Sequence, residues 1–457
     1  MLLIVAVLAG CATFHNRPLA PGNTLAAFEA RRLDSADTRH AVAASLRHSV
    51  APWPPRRWTL ALLTPVALHY SAMLAAAEAR ARAVRAGIQV AGEYPNPQFG
   101  FAPGYNTSSP AGESPWIFDY ALSFPIPTAG RRAAAIRQAR ALSTAADFDV
   151  AGTAWQVRNR LRSRLLDLYA AEQQVALLRQ QVADQRETSH LLRARYASGE
   201  TSAPAWLEAH SAYQAMQYAL ASAQIRETTA RDALAAVLGM PAAALQGVHF
   251  AFREFTRPLG VAPKAAVQRN ALLNRADILA ALARYAASQY ALRREIARQY
   301  PSLQIGPGFR WDQGQDKWSL GIGISLPIFN HNQGAVAAAA ARRREAAAQF
   351  EAVQNRVIAR VTQAMAAYRG ARDSLSLAAQ AADSAARAAQ AATAQFQAGE
   401  SDALAVLFAR QTALRSELAH LHALIGAQTA LTRLENALQQ PWNRAHAPRV
   451  TLPKEHS

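Results

Sequence analysis

The chain has 457 residues, of which 51% are hydrophobic and 18% charged, with 49 Lys and Arg against 31 Asp and Glu for a formal charge of +18. Much of the apolar share is alanine, which builds closely packed helices but buries little area per residue, so the composition favours coiled coils over one large globular core. The arginines are scattered along helix-forming stretches (Arg131, Arg137, Arg158, Arg160, Arg179, Arg193) and not clustered beside stacking aromatics. That pattern argues for a solvated helical face and against nucleic-acid binding, and leaves open attraction to anionic lipid headgroups.

In chain order, residues 1–9 are apolar and lead into Leu8-Ala9-Gly10-Cys11, the only cysteine, so no intrachain disulfide can form. An apolar run, small residues and then cysteine form the pattern of a lipoprotein signal peptide. Cleavage after residue 10 would free Cys11 for diacylation, although no Lys or Arg precedes the apolar run. Ala12 is not an inner-membrane retention residue, which implies sorting to the outer membrane. No later stretch offers 18 apolar residues, so no transmembrane helix is expected.

A first helix is predicted over 24–46, broken by Ala51-Pro52-Trp53-Pro54-Pro55, and a second over 59–86 with Pro65 in its first turns. After Tyr94-Pro95-Asn96-Pro97 the period changes to that of strands, at 98–103 and 116–125. In the second of these, Trp116, Phe118, Tyr120, Leu122 and Phe124 share one face, and Ile117, Asp119, Ala121 and Ser123 the other. A proline-free stretch over 128–203 predicts a helix of roughly 70 residues, about 100 Å long. It is interrupted only at Gly199-Glu200-Thr201. A return helix over 203–238 is stopped by Gly239-Met240-Pro241, and an irregular segment covers 242–263.

The pattern then repeats with an offset near 200 residues. A helix over 264–299 ends in Tyr300-Pro301, answering Tyr94-Pro95, and strands follow at 303–311 and 318–326. Leu303, Ile305, Phe309 and Trp311 alternate with Gln304, Gly306, Gly308 and Arg310. Trp318, Leu320, Ile322, Ile324 and Leu326 alternate with Ser319, Gly321, Gly323 and Ser325. A second proline-free stretch, 328–440, carries Gly399-Glu400-Ser401 where the first carries Gly199-Glu200-Thr201.

Strands of nine or ten residues with one bulky aromatic face and one small polar face have the length and layout of tilted membrane strands around a water-filled lumen. Trp116, Trp311 and Trp318 fall where an aromatic girdle would sit. Four strands cannot close a barrel, and an open edge in lipid leaves backbone groups unpaired, so the chain must oligomerise. Three copies of four strands give twelve, enough for an aqueous channel. The expected fold is mainly α with membrane β: two long antiparallel coiled-coil hairpins and four strands per protomer, a trimer forming a barrel and a helical tunnel.

These features resemble the TolC family of outer-membrane factors over residues 24–441. Asn270-Ala271-Leu272-Leu273-Asn274-Arg275-Ala276-Asp277-Ile278 is similar to the family's segment ending Arg-Pro-Asp-Ile, with alanine for proline. Leu326-Pro327-Ile328-Phe329-Asn330-His331-Asn332-Gln333-Gly334 is similar to the strand-to-helix junction of its heavy-metal branch, that of CzcC and CusC. The resemblance implies a signal peptide (1–10), a leader with an equatorial helix (11–58), a first repeat (59–241), an equatorial linker (242–263), a second repeat (264–441) and a tail (442–457). It further implies a homotrimer in the outer membrane of a Gram-negative bacterium, lipid-anchored at Cys11, with no catalysis and no cofactor beyond that covalent lipid. Substrates, divalent metal cations by the branch, would arrive from an inner-membrane pump of the resistance-nodulation-division class through a periplasmic adaptor. The adaptor-docking tips map to Gly199, Glu200 and Thr201 and to Gly399, Glu400 and Ser401.

Some members narrow the tunnel with an aspartate ring on the helix after the second tip. The matching positions here are Ala405 and Phe408, and the nearest acids are Glu400 and Asp402. Asp402, Ala405 and Phe408 are therefore the aperture candidates. His420-Leu421-His422 places two histidines about 200° apart on a helix, where they cannot chelate one metal, and no Cys/His spacing fits zinc. The same channel fold also serves drug efflux and type I secretion. A different class, a coiled-coil envelope spacer or adaptor lipoprotein, would lack paired membrane-type strands before each rod.

Overall fold

The computed structural model describes residues 13–256, 260, 265, 269 and 272–440. The signal peptide with Cys11, the start of the helix expected from 264, Asn270 and Ala271, and the tail from 441 lie outside the described residues.

The helix expected over 24–46 is two, α1 (Pro21–Glu29) and α2 (Ala36–Leu46), and the one over 59–86 is α3 (Leu60–His69) and α4 (Ala72–Gly92). The breaks have a common cause. Ser35 and Ser71 each accept a hydrogen bond from the backbone N–H three residues on, so each opens a new helix where apolar periodicity alone reads through, and Thr59 caps α3 in the same way at its expected start. Among the described residues no single helix is long and apolar enough to cross a membrane. Only α3 and α4 together reach that length and hydropathy, but they are bent by 53° and Leu63, Val66 and Ala67 of α3 are fully buried.

Strands β1 (Gln98–Tyr105), β2 (Trp116–Ile126), β3 (Leu303–Asp312) and β4 (Gln315–Ile324) form one antiparallel sheet in the order β1-β2-β3-β4. The last strand starts three residues before the predicted Trp318 and ends two before Leu326. Gln313 and Gly314, at φ 50° and 95°, make a two-residue turn of the mirror-image type that matches strand twist. The polar Gln315, Asp316 and Lys317 then pair with Asp312, Trp311 and Arg310 beyond the apolar band.

The long helices are α5 (Arg131–Ala197, 67 residues) and α8 (Gln333–Gln397, 65 residues), each about 100 Å long. Their return partners are α6 (Ala203–Leu238) and α9 (Ala403–Leu438), 36 residues each, and α7 (Ala276–Ala297) leads into β3. Under the sheet, α4 packs on α5, α5 on α7 and α7 on α8, the order of the strands they continue. Lower down, α6 packs along α5, and α9 along both α8 and α5.

Most fully buried side chains lie at mid-height. One cluster joins Val42, Trp58, Leu63 and Val66 to Leu161, Leu165 and Leu168 of α5, Leu234 and Leu238 of α6, and Met240, Leu245, Phe250 and Phe255. The segment read as an irregular linker therefore supplies core residues, through 3₁₀ turns at Ala242–Leu245 and Arg253–Phe255 and a bridge between Trp58 and Phe250. A second cluster, in the other repeat, gathers Ile278, Val357, Val361, Met365, Tyr368, Leu431 and Leu434.

Candidate functional site

Two places define what the molecule can do: the sheet and the hairpin tips. The register places Phe99, Phe101 and Tyr105 of β1, Trp116, Phe118, Tyr120 and Phe124 of β2, Ile305, Phe309 and Trp311 of β3, and Trp318, Leu320, Ile322 and Ile324 of β4 on one face. Their rings meet across strands: Phe101 with Tyr120 at 5.0 Å, Tyr105 with Trp116 at 5.2 Å, and Phe309 with Trp318 at 4.9 Å between centroids. The face is open in the protomer, with Phe99 69% and Trp318 78% exposed. An apolar surface of this extent in water would drive association; in lipid it is the expected outer wall of a barrel.

The opposite face is small and polar, with Gly100, Ala121, Gly306, Gly308, Ser319 and Gly321 opposed across the strands. A side chain at Gly306 would fall on the backbone of Leu122. Two ion pairs cross strands on this face, Arg310 to both oxygens of Asp119 at 2.5 and 3.1 Å, and Lys317 to Asp312 at 2.6 Å. The two edges, β1 and β4, have no partner strand among the described residues.

At the far ends of the rods the two tips share one geometry. Gly199 and Gly399 adopt φ 78° and 76°, and the N–H groups of Glu200 and Glu400 donate to the carbonyls of Arg195 and Gln395, at 2.8 and 2.9 Å. This is the left-handed helix stop that only glycine makes at no cost, and it turns each chain into its return helix within a few residues. Thr201 and Ser401 lie in the turns, ahead of the helix caps Ser202 and Asp402.

The tips differ in chemistry. Asp402 caps α9 by accepting from the N–H of Ala405 at 2.9 Å, and its other oxygen accepts from Arg195 Nη2 at 3.0 Å. The backbone N–H of Ala405, then the Arg195 side chain, hold the Asp402 carboxyl below the usual carboxylate range. The corresponding positions 200 residues away are Ser202 and Gln395, which cannot form such a pair. The first hairpin is therefore tied to the second at its end, and a little higher Gln411 Nε2 donates to Thr188 Oγ1 at 3.0 Å. Glu200 accepts from Ser198 Oγ at 3.0 Å. Ala405 is exposed, and so is Phe408 at 53%.

A further tie lies at mid-height. Arg158 and Arg162 of α5 reach Glu435 of α9 at 3.5 and 3.4 Å, all three nearly buried. Arg162 also donates to Gln428 Oε1 at 3.0 Å, and Gln428 donates to the carbonyl of Phe255 at 3.0 Å. Burial lowers the Arg162 pKa, and the charge of Glu435 acts against that. Arg158, expected on a solvated face, is thus buried, and Arg162 beside it was not singled out by the sequence. The signal was there in spacing: 158 and 162 fall on one helix face, as do 428, 432 and 435. Among the described residues no group of three or more His, Cys, Asp or Glu side chains could hold a metal ion. His420 and His422 flank Leu421, which is buried.

A sheet with one lipid-type face, free edges and two rods hanging from it defines an envelope channel subunit. The chain belongs to the outer membrane efflux protein family, which matches residues 63–240 and 267–440, the two repeats. It is 25% identical over 330 residues to the cobalt-zinc-cadmium resistance protein CzcC of Cupriavidus metallidurans, covering 69% of this chain and 76% of that one. Its fold is shared with the outer membrane protein VceC of Vibrio cholerae (TM-score 0.67, 20% identity, 84% of this chain and 97% of that chain). It is shared equally with CusC (TM-score 0.66, 17% identity, 83% of this chain and 91% of that chain). The resemblance to the TolC family holds, and the protein is an outer-membrane efflux component of a Gram-negative cell.

Proposed function

We propose that three copies close β1 against β4 into a twelve-stranded barrel whose helices continue as a tunnel, the passive exit duct of a tripartite efflux assembly. The observation that carries this reading is the sheet itself: an aromatic outer face, a small polar inner face and two unpaired edges, joined directly to rods of about 100 Å. The cargo is divalent metal cations, a reading supported by the similarity to a cobalt-zinc-cadmium resistance protein. A pump of the resistance-nodulation-division class drives export, and a periplasmic adaptor docks on Gly199, Glu200 and Thr201 and on Gly399, Glu400 and Ser401. A diacylated Cys11 anchors the chain beside the barrel.

At the aperture, Asp402 is already engaged by Arg195 and by its own helix, so the exposed Phe408 is the better candidate for the constriction. The deciding measurement is the native mass of the detergent-extracted protein together with single-channel recording. A conducting trimer is expected; a monomer that stays folded without detergent would return the chain to the envelope-spacer class. For the cargo, a deletion strain should lose tolerance to cobalt, zinc or cadmium, and unchanged tolerance to all three would remove the metal reading.

A further inference from the structure

Directly beneath the sheet, the membrane-proximal ends of the helices are strongly basic. Arg131, Arg132, Arg137 and Arg140 lie in the first turns of α5, Arg293, Arg294 and Arg298 at the end of α7, and Arg342, Arg343 and Arg344 near the start of α8. The acids among them are few. Glu295 is shared by Arg294 and Arg298 and bonded by Asn332, and hydrogen bonds from these three outweigh its burial and hold its carboxyl low. Arg131 donates to the carbonyl of Tyr300, and Arg132 donates to that of Gly92 and lies over the Tyr94 ring. Arg137, Arg140, Arg293, Arg342, Arg343 and Arg344 have no carboxylate within ion-pair distance among the described residues.

Two of these free cations line a groove of about 370 Å³ between α5 and α7, with Tyr290, Tyr300, Ile296 and the alanines of both helices. Arg293 lies over the Tyr290 ring, and Ile296 and Tyr300 are exposed. The groove thus combines two guanidinium groups with aromatic and aliphatic walls. Its depth is fixed by the fold. Arg137 lies six residues into α5 and Arg293 four residues before the end of α7, about 6–9 Å below the sheet-side ends of these helices at 1.5 Å per residue, with the short linkers 127–130 and 298–302 between those ends and the strands. The headgroup zone on each side of the hydrocarbon core is about 5–8 Å thick. Because α5 and α7 are the inner two of the series α4-α5-α7-α8, the groove lies at the middle of the protomer, away from the β1 and β4 edges where copies would meet.

We propose that this groove binds the headgroup of an anionic phospholipid of the inner leaflet, with Arg137 and Arg293 on the phosphodiester and Ile296, Tyr290 and Tyr300 against the glycerol and upper acyl chain. The surrounding arginines form a collar that sets the depth of the barrel in the membrane. The chemistry is that of a phosphate monoanion carrying an apolar tail. A free phosphate would use only the guanidinium groups and leave the apolar wall in water.

The test uses the full-length protein in neutral detergent, titrated with phosphatidylglycerol or phosphatidylcholine and read by native mass spectrometry, which reports assembly in the same spectrum. Phosphatidylglycerol should be retained over phosphatidylcholine. Arg137→Gln with Arg293→Gln should weaken it by roughly 30-fold, equivalent to about 1 kcal/mol for each arginine at 1.4 kcal/mol per tenfold. Arg137→Lys with Arg293→Lys should keep most of the preference. Arg186→Gln with Arg193→Gln, far down the rod, should change nothing. A photoreactive phosphatidylglycerol on the wild-type protein should label peptides spanning 131–140 and 290–298. Equal retention of both lipids, labelling elsewhere, an unchanged preference in the double glutamine variant, or displacement of the lipid by excess inorganic phosphate would each overturn the proposal.

Discussion

Replacing Glu435 by alanine would leave Arg158 and Arg162 buried without the carboxylate they share at 3.5 and 3.4 Å. Removing one member of a buried ion pair costs about 3–5 kcal/mol, because the remaining charge is stranded in a poor solvent. Arg162 keeps Gln428 and Thr432 as partners, so the loss belongs near the lower end, about 3 kcal/mol. With about 2.1 cal/mol/K of unfolding entropy per residue, a chain of 457 residues converts that into a fall in Tm of roughly 3 °C. The assay is thermal unfolding of the detergent-extracted protein by far-UV circular dichroism. Replacing Arg158, Arg162 and Glu435 together by methionine should recover most of the loss, since apolar residues of similar volume need no counter-charge. If Glu435→Ala melts with the wild type, or the triple methionine variant melts below Glu435→Ala, the tie between α5 and α9 does not rest on this charge cluster.

At the tips, Asp402→Asn keeps an oxygen for the Ala405 N–H but removes the pair with Arg195. It should cost under about 1 kcal/mol and raise single-channel conductance, as should Arg195→Ala. Asp402→Ala also loses the cap and should cost about 1 kcal/mol more in thermal unfolding. Because the folded-state value of Asp402 is depressed, its contribution is complete above the ordinary carboxylate range and is lost as pH falls through the lowered value. Conductance should therefore rise on acidification in the wild type but not in Asp402→Asn. Gly239→Ala puts a side chain at φ 70° and 2.7 Å from the Tyr70 carbonyl oxygen, and should lower stability by about 2–4 kcal/mol in the same melts. Gly426→Ala, in the middle of α9 with nothing within 4 Å, should raise it by up to about 1 kcal/mol.

Much of this architecture was legible in the sequence because each feature has a local cause. Alternation at 116–125 is a direct statement about two faces, and the register keeps Trp116, Phe118 and Tyr120 together. A return helix with Pro204 in its first turn and Gly239 in the left-handed region at its end is set by local signals, and residues 203–238 follow from them. What was hidden depends on contacts distant in the chain. Phe255 and Leu245 sit in a stretch without periodicity, and only the packing of α3, α5 and α6 shows that they are core. Arg162 looks like any surface arginine until α9 is laid beside α5. The helix breaks at Ser35 and Ser71 were missed because alanine and leucine on both sides carry a helical period across a cap. The tip aspartate was seen as an acid near an aperture, and its commitment to Arg195 appears only when the two hairpins are side by side.

The duplication also explains why the two joints of the molecule use different chemistry. From the tips onward the repeats are offset by 200, so Arg158 and Arg162 answer to Ile358 and Thr362, and Gln428 and Glu435 to Thr228 and Ala235. Within the protomer α5 meets α9, and that joint holds the buried charges and the Arg195–Asp402 pair. The counterpart joint, α8 with α6, would in the proposed trimer lie between copies, and the exposed side chains of these two helices include the apolar Ile358, Leu377, Tyr218 and Ile225 beside arginines such as Arg226 and Arg360. Buried ion pairs demand a fixed geometry and penalise misalignment, whereas aliphatic and aromatic contacts tolerate sliding. A protomer built this way sets the register of its two hairpins internally and leaves adjustment to the seams. Opening of the tunnel would then be expected to occur by movement between copies, and inside each protomer the Arg195–Asp402 pair and the Gln411–Thr188 hydrogen bond are polar contacts that resist it.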